Sequence, residues 1–291
     1  MLKILKNLKE SILLVIAIII LLCVQAAADL NLPDFTSKIV NVGLQQGGIE
    51  EAVPDVIRES TLNDLNYFTK DDEKIQNSYE LLEKNEKNIE KYPALENENI
   101  YKLKKLNKDE IQELEKIIAK PLMILTELTN ESNADKIKEM LLNQSNLSSE
   151  QYSYMSQMNI MDIIKSLPEE TIEEISNNLE TNLNTMSESM ISQAAIQEIK
   201  NEYKAIGINL ENMQNNYIFL VGIQMLGVAL ISMLSAVSIM FLSSRVAAKL
   251  GKTLREKIFK KVLSFSTAEI NAFSTASLIT RSTNDVQQIQ Q

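Results

Sequence analysis

The residues to weigh first for chemistry are Gly251-Lys252-Thr253, which match the tail of a phosphate-binding loop. Such a loop wraps phosphates with backbone N–H groups and needs a second glycine five residues earlier. Val246 stands there, no strand pattern precedes it, and the surrounding SSRVAAKLGKTLREKIFKKVLSF reads as a basic helix. Carboxylate pairs come next: Glu50-Glu51, Glu169-Glu170 and Glu173-Glu174. In so acidic a stretch they read as solvated faces; a weak divalent-cation site is the alternative, without the oxygen-rich loop of an EF-hand. The chain has no His and a single Cys, Cys23. A Ser-His-Asp triad, a His-containing metal cage, an intrachain disulfide and a thiolate zinc site are therefore all excluded. No catalytic, cofactor-binding or metal-binding residue is assigned. Asn130, Asn143 and Asn146 head glycosylation-type triplets, which Asn-rich sequence yields by chance.

The elements that carry these residues follow from hydropathy and charge. Two runs hold no charged side chain: Ile12 to Ala28 and Tyr217 to Leu242. The net charge of −10 is unevenly spread: residues 1–28 carry +2, residues 29–217 carry −17 and residues 218–291 carry +5. An apolar run of about 20 residues can cross a bilayer as a helix, because a helix satisfies its own backbone polar groups there. The second run is followed by Arg245, Lys249, Lys252, Arg255, Lys257, Lys260 and Lys261. Basic residues clustered so close to a span mark its cytoplasmic end. Lys3, Lys6 and Lys9 mark the start of the first run in the same way. Both termini are then cytoplasmic and residues 29–216 extracellular. A negative chain is also a poor ligand for nucleic acid, so none is expected as a partner.

The first run is short and ends in Ala26-Ala27-Ala28, so a retained anchor and a cleaved signal peptide both fit it. Residues 1–10 alternate Leu and Lys at helical spacing, which suits an amphipathic elbow helix on membrane lipid. Residues 29–48, with Pro33 and Gly47-Gly48, read as a loop leaving the membrane. Beyond it, helical patterns run over 49–68, 72–92 and 108–128, with shorter ones at 134–143 and 150–165. Pro121 is expected to kink or interrupt the third. Ser166 to Glu169 form a capping box for a further polar helix. In the second run, Gln224, Gly227, Ser232, Ser235 and Ser238 gather on one side. Such a stripe packs against other helices or lines a transport pathway.

The expected fold class is an all-α membrane protein. Its parts are an elbow helix over 1–10, a transmembrane helix over 11–28, a helical extracellular insertion over 29–216, a second transmembrane helix over 217–243 and a cytoplasmic helical extension over 244–291. Two classes have this plan: a two-span sensor or chemoreceptor with an external ligand-binding domain, and the start of a transporter with an enlarged external loop. The tail discriminates between them. No Pro follows Pro168, and the helix continues from the second span to about Leu263.

The tail Ser277-Leu278-Ile279-Thr280-Arg281-Ser282-Thr283-Asn284-Asp285 closely resembles the first intracellular loop of ABC exporters, which commonly reads Gly-x-Leu-Ile-x-Arg-x-x-Asn-Asp. Ala276 takes the place of that Gly and should restrict the turn. Leu30 to Pro33, Lys38 to Gly43 and Gln45 to Ile49 are similar to the segment after the first span of multidrug-type exporters of Gram-positive bacteria. That similarity favours a retained first span and implies a bacterial plasma membrane. The resemblance covers residues 1–68 and 205–291 and implies an ATP-driven exporter subunit, with six spans and a nucleotide-binding domain.

In such a subunit, Thr267, Ala268, Glu269, Ile270, Asn271, Phe273 and Ser274 would form the coupling helix that touches a nucleotide-binding domain, with Phe273 as anchor. Leu278, Ile279, Arg281, Asn284 and Asp285 would form the return, Arg281 and Asp285 pairing or capping locally. A second transporter half, in a heterodimer, is the other implied partner. ATP and magnesium belong to the full-length family. This chain shows no phosphate-binding loop and no Leu-Ser-Gly-Gly signature, so it is expected to be an exporter's N-terminal part, without ATPase activity alone.

Overall fold

The computed structural model describes residues 11–69, 71–129, 138, 158–166, 172, 183, 185–267, 269 and 274–290. The expected elbow over 1–10, the helix over 134–143 apart from Lys138, and the three Asn triplets lie outside them. The chain divides into two compact units, residues 1–37 with 221–291, and residues 38–220.

The first unit is built on two helices long and apolar enough to cross a membrane. Helix α1 spans Ile12–Ser37 and runs on as a π-helix over Lys38–Gln45. The loop expected from residue 29 is therefore helical, and Pro33 lies inside it. Pro33 has no N–H to give the carbonyl of Asp29 four residues back, yet the helix carries on past it. Asn31 Nδ2 donates to Ala27 O at 2.7 Å and Thr36 Oγ1 to Leu32 O at 3.2 Å. The loop begins only at Gly47, after Gln46 N donates to Asn41 O. The covered side of α1 recurs every three or four residues, at Leu14, Ile18, Leu21, Gln25, Ala28, Leu32 and Phe35.

The second unit is where the helical expectation needs amending. Three short strands, β1 (Val56–Arg58), β2 (Tyr79–Leu81) and β3 (Ile100–Leu103), form an antiparallel sheet in the order β1-β3-β2. Ile57 faces Tyr101 across the first pair and Glu80 faces Lys102 across the second. The pattern over 49–68 resolves into β1 and α2 (Glu59–Asn66). That over 72–92 resolves into α3 (Asp72–Ser78), β2 and α4 (Glu86–Lys91). Helix α5 (Lys108–Thr129) matches its expected span, and Pro121 does not interrupt it. Helix α6 (Ile160–Ser166) is the described part of the pattern over 150–165. Its Ser166 Oγ donates to Ile163 O at 2.7 Å, while residues 167–169 of the expected capping box lie outside the described residues.

Helix α7 (Glu188–Ile206) packs on α5 and β1. Ile57, Leu65, Ile75, Leu95, Ile100, Ile118, Ile199 and Ile206 are all fully enclosed in one core. At about 25 cal/mol per Å² of apolar surface removed from water, this burial is the main force holding the unit together. Helix α7 ends at Gly207 in the left-handed conformation (φ 92°). A Cβ there would press on Pro93 at 2.9 Å as well as strain the backbone. Helix α8 then starts at Leu210 and runs 54 residues without a break to Leu263. At about 1.5 Å per residue it is roughly 80 Å long, far more than a membrane requires.

Candidate functional site

The candidate site lies where α8 ends and the chain turns back. Lys260 Nζ holds Glu256 Oε1 at 2.7 Å one turn before the end, an exposed pair of small worth. Ser264 Oγ donates to Lys261 O at 2.7 Å and closes the helix. Two residues on, a new helical start is built by a reciprocal cap. Glu269 Oε2 accepts from Ser266 N at 2.8 Å and from Ser266 Oγ at 3.0 Å, while Glu269 N donates to Ser266 Oγ at 3.3 Å. These bonds from Ser266 hold the Glu269 carboxyl below the usual carboxylate range. Ser-x-x-Glu is legible in the sequence, yet Ser266 escaped the reading given above. Of the seven coupling-helix residues, Thr267, Glu269 and Ser274 fall within the described structure, and Ala268, Ile270, Asn271 and Phe273 lie outside it.

Ser274 caps the next helix, α9 (Thr275–Thr280), by accepting from Ser277 N at 3.1 Å. Ala276 sits inside α9, and among the described residues only glycines have positive φ. The replacement of Gly by Ala therefore does not restrict the turn, contrary to expectation, because this position is helical. A π-helical step over Arg281–Asp285 leads into α10 (Val286–Gln290). Leu278 is half-buried, and Ile279, Arg281, Asn284 and Asp285 are exposed.

The return lies against α8. Gln290 Nε2 donates to Ala247 O at 3.1 Å, and Arg255 Nη2 donates to Gln290 Oε1 at 3.4 Å. Gly251 is buried between them, and a Cβ on it would collide with the Gln290 amide. Its glycine thus serves close helix approach, and no phosphate loop surrounds it. Between α8 and the return lies a groove of about 430 Å³. Leu254, Ile258, Val262 and Phe265 line one side and Leu278, Val286 and Ile289 the other, together with Lys257, Lys261, Arg281 and Asp285. Arg281 and Asp285 are thus brought to one groove.

The polar stripe of the second run divides. Ser235 is buried and its Oγ donates to Ile231 O at 2.8 Å. Ser232 Oγ donates to Asp29 Oδ1 of α1 at 2.6 Å, and Ser238 is half-buried. Gln224 and Gly227 are exposed. Asp29 was not singled out from the sequence, because the helix was expected to end before it. Among the described residues, no group of three or more acidic or Cys side chains is placed to hold a metal ion.

Residues 178–291 match the family profile described as ABC transporter transmembrane region. An uncharacterised ABC transporter ATP-binding protein of Mycobacterium bovis is 43% identical over 68 residues. Proteins of the same description from two strains of Mycobacterium tuberculosis share that identity over the same length. The matched stretch is 23% of this chain and 12% of each relative. No solved structure matches the chain. The fold is that of an all-α membrane protein with a small sheet in its second unit, and its C-terminal part is similar to the transmembrane region of ABC transporters.

Proposed function

We propose that this chain is the N-terminal membrane-spanning part of an ATP-driven ABC exporter of lipophilic substrates. The observation that carries the reading is the helical hairpin at its end: α8 overshoots any membrane, turns at the Ser266–Glu269 cap and returns through α9 and α10 along its own side. About 23 residues separate Leu242 from Phe265, so the turn would stand roughly 35 Å beyond the apolar run. A rigid helix pair of that length suits the transmission of motion from a nucleotide-binding domain to the spans. The cap leaves Thr267 exposed at the tip. Magnesium and ATP would act on the nucleotide-binding domain, and a second, non-identical half would complete the pathway. The basic end of α8 faces the cytoplasm in this reading, and residues 49–206 stand outside as a lid or partner surface.

Thr267→Cys in a Cys23→Ser background tests the assignment. In membranes holding the assembled transporter, a short bifunctional maleimide should link Thr267→Cys to an ATP-binding polypeptide, with a yield that changes when ATP is added. No adduct with any ATP-binding polypeptide would overturn the reading. The mass of the solubilised complex separates a heterodimer from two copies of one subunit.

A further inference from the structure

Asp29 is the sole charged side chain between Ser11 and Pro33, and α8 carries no charge between Glu211 and Arg245. The structure joins these two stretches through the Ser232 hydroxyl, which donates to Asp29 Oδ1 at 2.6 Å. Ser232 is ten residues from Leu242 and fifteen from Tyr217, within about 4 Å of the middle of the charge-free run at about 1.5 Å per residue. Asp29 is therefore not a residue at the mouth of its span. It lies near the middle of the 34-residue helix Ile12–Gln45, opposite Ser232, and the exposed Asp34, five residues on, is the next charge along that helix. The side chain is exposed in this helix pair. A carboxylate has about four acceptor positions, and the Ser232 hydroxyl fills one of them. A carboxylate facing lipid at that depth is costly, so such residues face a cavity or a partner of opposite charge. The nearest cation along α1 is Lys38, nine residues away, and its Nζ lies 3.8 Å from Glu50 Oε1.

We propose that Asp29, oriented by Ser232, is a charge-selecting site for lipophilic cations at mid-depth of the α1–α8 pair. The carboxylate faces the cationic centre of the substrate, and the surrounding Ile, Leu, Val and Met side chains take its apolar body. This rests on the reading of the chain as part of an exporter and narrows the substrate to a charge class. Gln25, one turn before Asp29 on α1, is the next polar side chain at that level.

The test uses the full chain in lipid nanodiscs and two probes of matched shape, tetraphenylphosphonium and tetraphenylborate, by equilibrium dialysis against empty nanodiscs. The wild-type chain should retain tetraphenylphosphonium above the empty-disc level, and Asp29→Asn should weaken that binding about tenfold. Asp29→Glu should restore most of it. Ser232→Ala, which removes the orienting hydroxyl, should cost about threefold. Tetraphenylborate should gain or stay level in Asp29→Asn. Equal loss of both probes in Asp29→Asn with unchanged helicity would mean a packing role and overturn the proposal. So would absence of cation retention by the wild type, or full retention by Asp29→Asn. Should Asp29→Asn fail to insert, the Asp29→Glu and Ser232→Ala results decide alone. In the assembled transporter, ATP-driven export of a neutral dye with no cation preference would sink this site and leave the exporter reading intact. Failure of all ATP-driven export would sink the exporter reading.

Discussion

The two units use the same apolar residue types in opposite ways. In residues 38–220, Ile57, Leu65, Leu122 and Ile199 are turned inward and enclosed. Along α8, Leu226 is 71% exposed and Met240 75%. Charge is handled in opposite ways as well. The second unit buries Glu202 to 2% exposure but surrounds it with donors, whereas the first unit keeps charge out of its two apolar runs, with Asp29 and Asp34 following the first of them. The difference reflects two solvents. Water drives apolar groups into a core, while lipid is as apolar as leucine and leaves packing to small and polar residues.

The largest test removes Glu202. Its Oε1 accepts from Arg58 N at 2.7 Å and Arg58 Nε at 3.1 Å, and its Oε2 from Arg58 Nη2 and Thr61 Oγ1 at 2.8 and 2.7 Å. Glu202→Ala leaves the half-buried Arg58 guanidinium, the β1 N–H and the Thr61 hydroxyl without this acceptor. A loss of about 3–5 kcal/mol is expected for one partner removed from a buried pair. Urea unfolding of the chain in detergent, followed by tyrosine fluorescence, would read it. A loss under about 1 kcal/mol would show that water reaches this network.

Next in size is a matched pair of truncations. Leu122→Ala empties a site only 1% exposed and should cost about 2–5 kcal/mol. Leu226→Ala, at 71% exposure on α8, should leave the unfolding of the second unit unchanged. Equal effects from the two would erase the contrast drawn above.

Legibility differed between the units for physical reasons. The long helix α8 was readable because its apolar run, its basic end and the lack of Pro agree over 54 residues. The sheet was not readable, since strands of three or four residues are too short for alternation to stand out from a helical pattern. Pro54 was the overlooked clue. It falls inside the stretch 49–68, cannot sit in a helix interior without cost, and its carbonyl accepts from the buried Tyr79 hydroxyl at 2.9 Å. Pro33 misled in the other direction, because it lies inside a helix that carries on to Gln45. Asp29 was hidden by that error: its depth depends on where α1 ends, and composition alone placed the end at Ala28. The groove residues Arg281 and Asp285 came from the tail's resemblance, whereas Gly251 and Gln290 required the return to be seen against α8.

Gly251→Leu is a smaller change aimed at the first unit. Leucine is the better helix former, so α8 keeps its helicity. The new side chain displaces the Gln290 amide and its bonds to Ala247 and Arg255, worth about 0.5–1.5 kcal/mol. Hydrogen exchange should quicken over residues 275–290 and stay as before over α5 and α7. Unchanged exchange in the return would mean that the groove side chains, and not the Gln290 contact, hold it.

The smallest effect concerns Glu198, the other buried carboxylate of α7. Burial pushes its carboxyl above the ordinary glutamate range, and the nearby Glu202 charge pushes the same way. Donation from Asn201 Nδ2 at 3.2 Å and Thr129 Oγ1 at 3.3 Å, and attraction from Arg58, oppose the rise without cancelling it. A carboxyl raised on folding binds its proton more tightly in the native state than in the unfolded one. Its contribution to stability is then fully present below the unfolded value near 4.5 and is lost as pH rises through the folded value. Glu198→Gln removes the charge while keeping the shape. The variant should unfold at a higher urea concentration than the wild type at pH 7.5, and the gap should narrow as the pH is lowered and the native carboxyl takes up its proton. A gap that widens on acidification would mean that Arg58, and not burial, governs Glu198, and the second unit would then hold both α7 carboxylates as it holds Glu202.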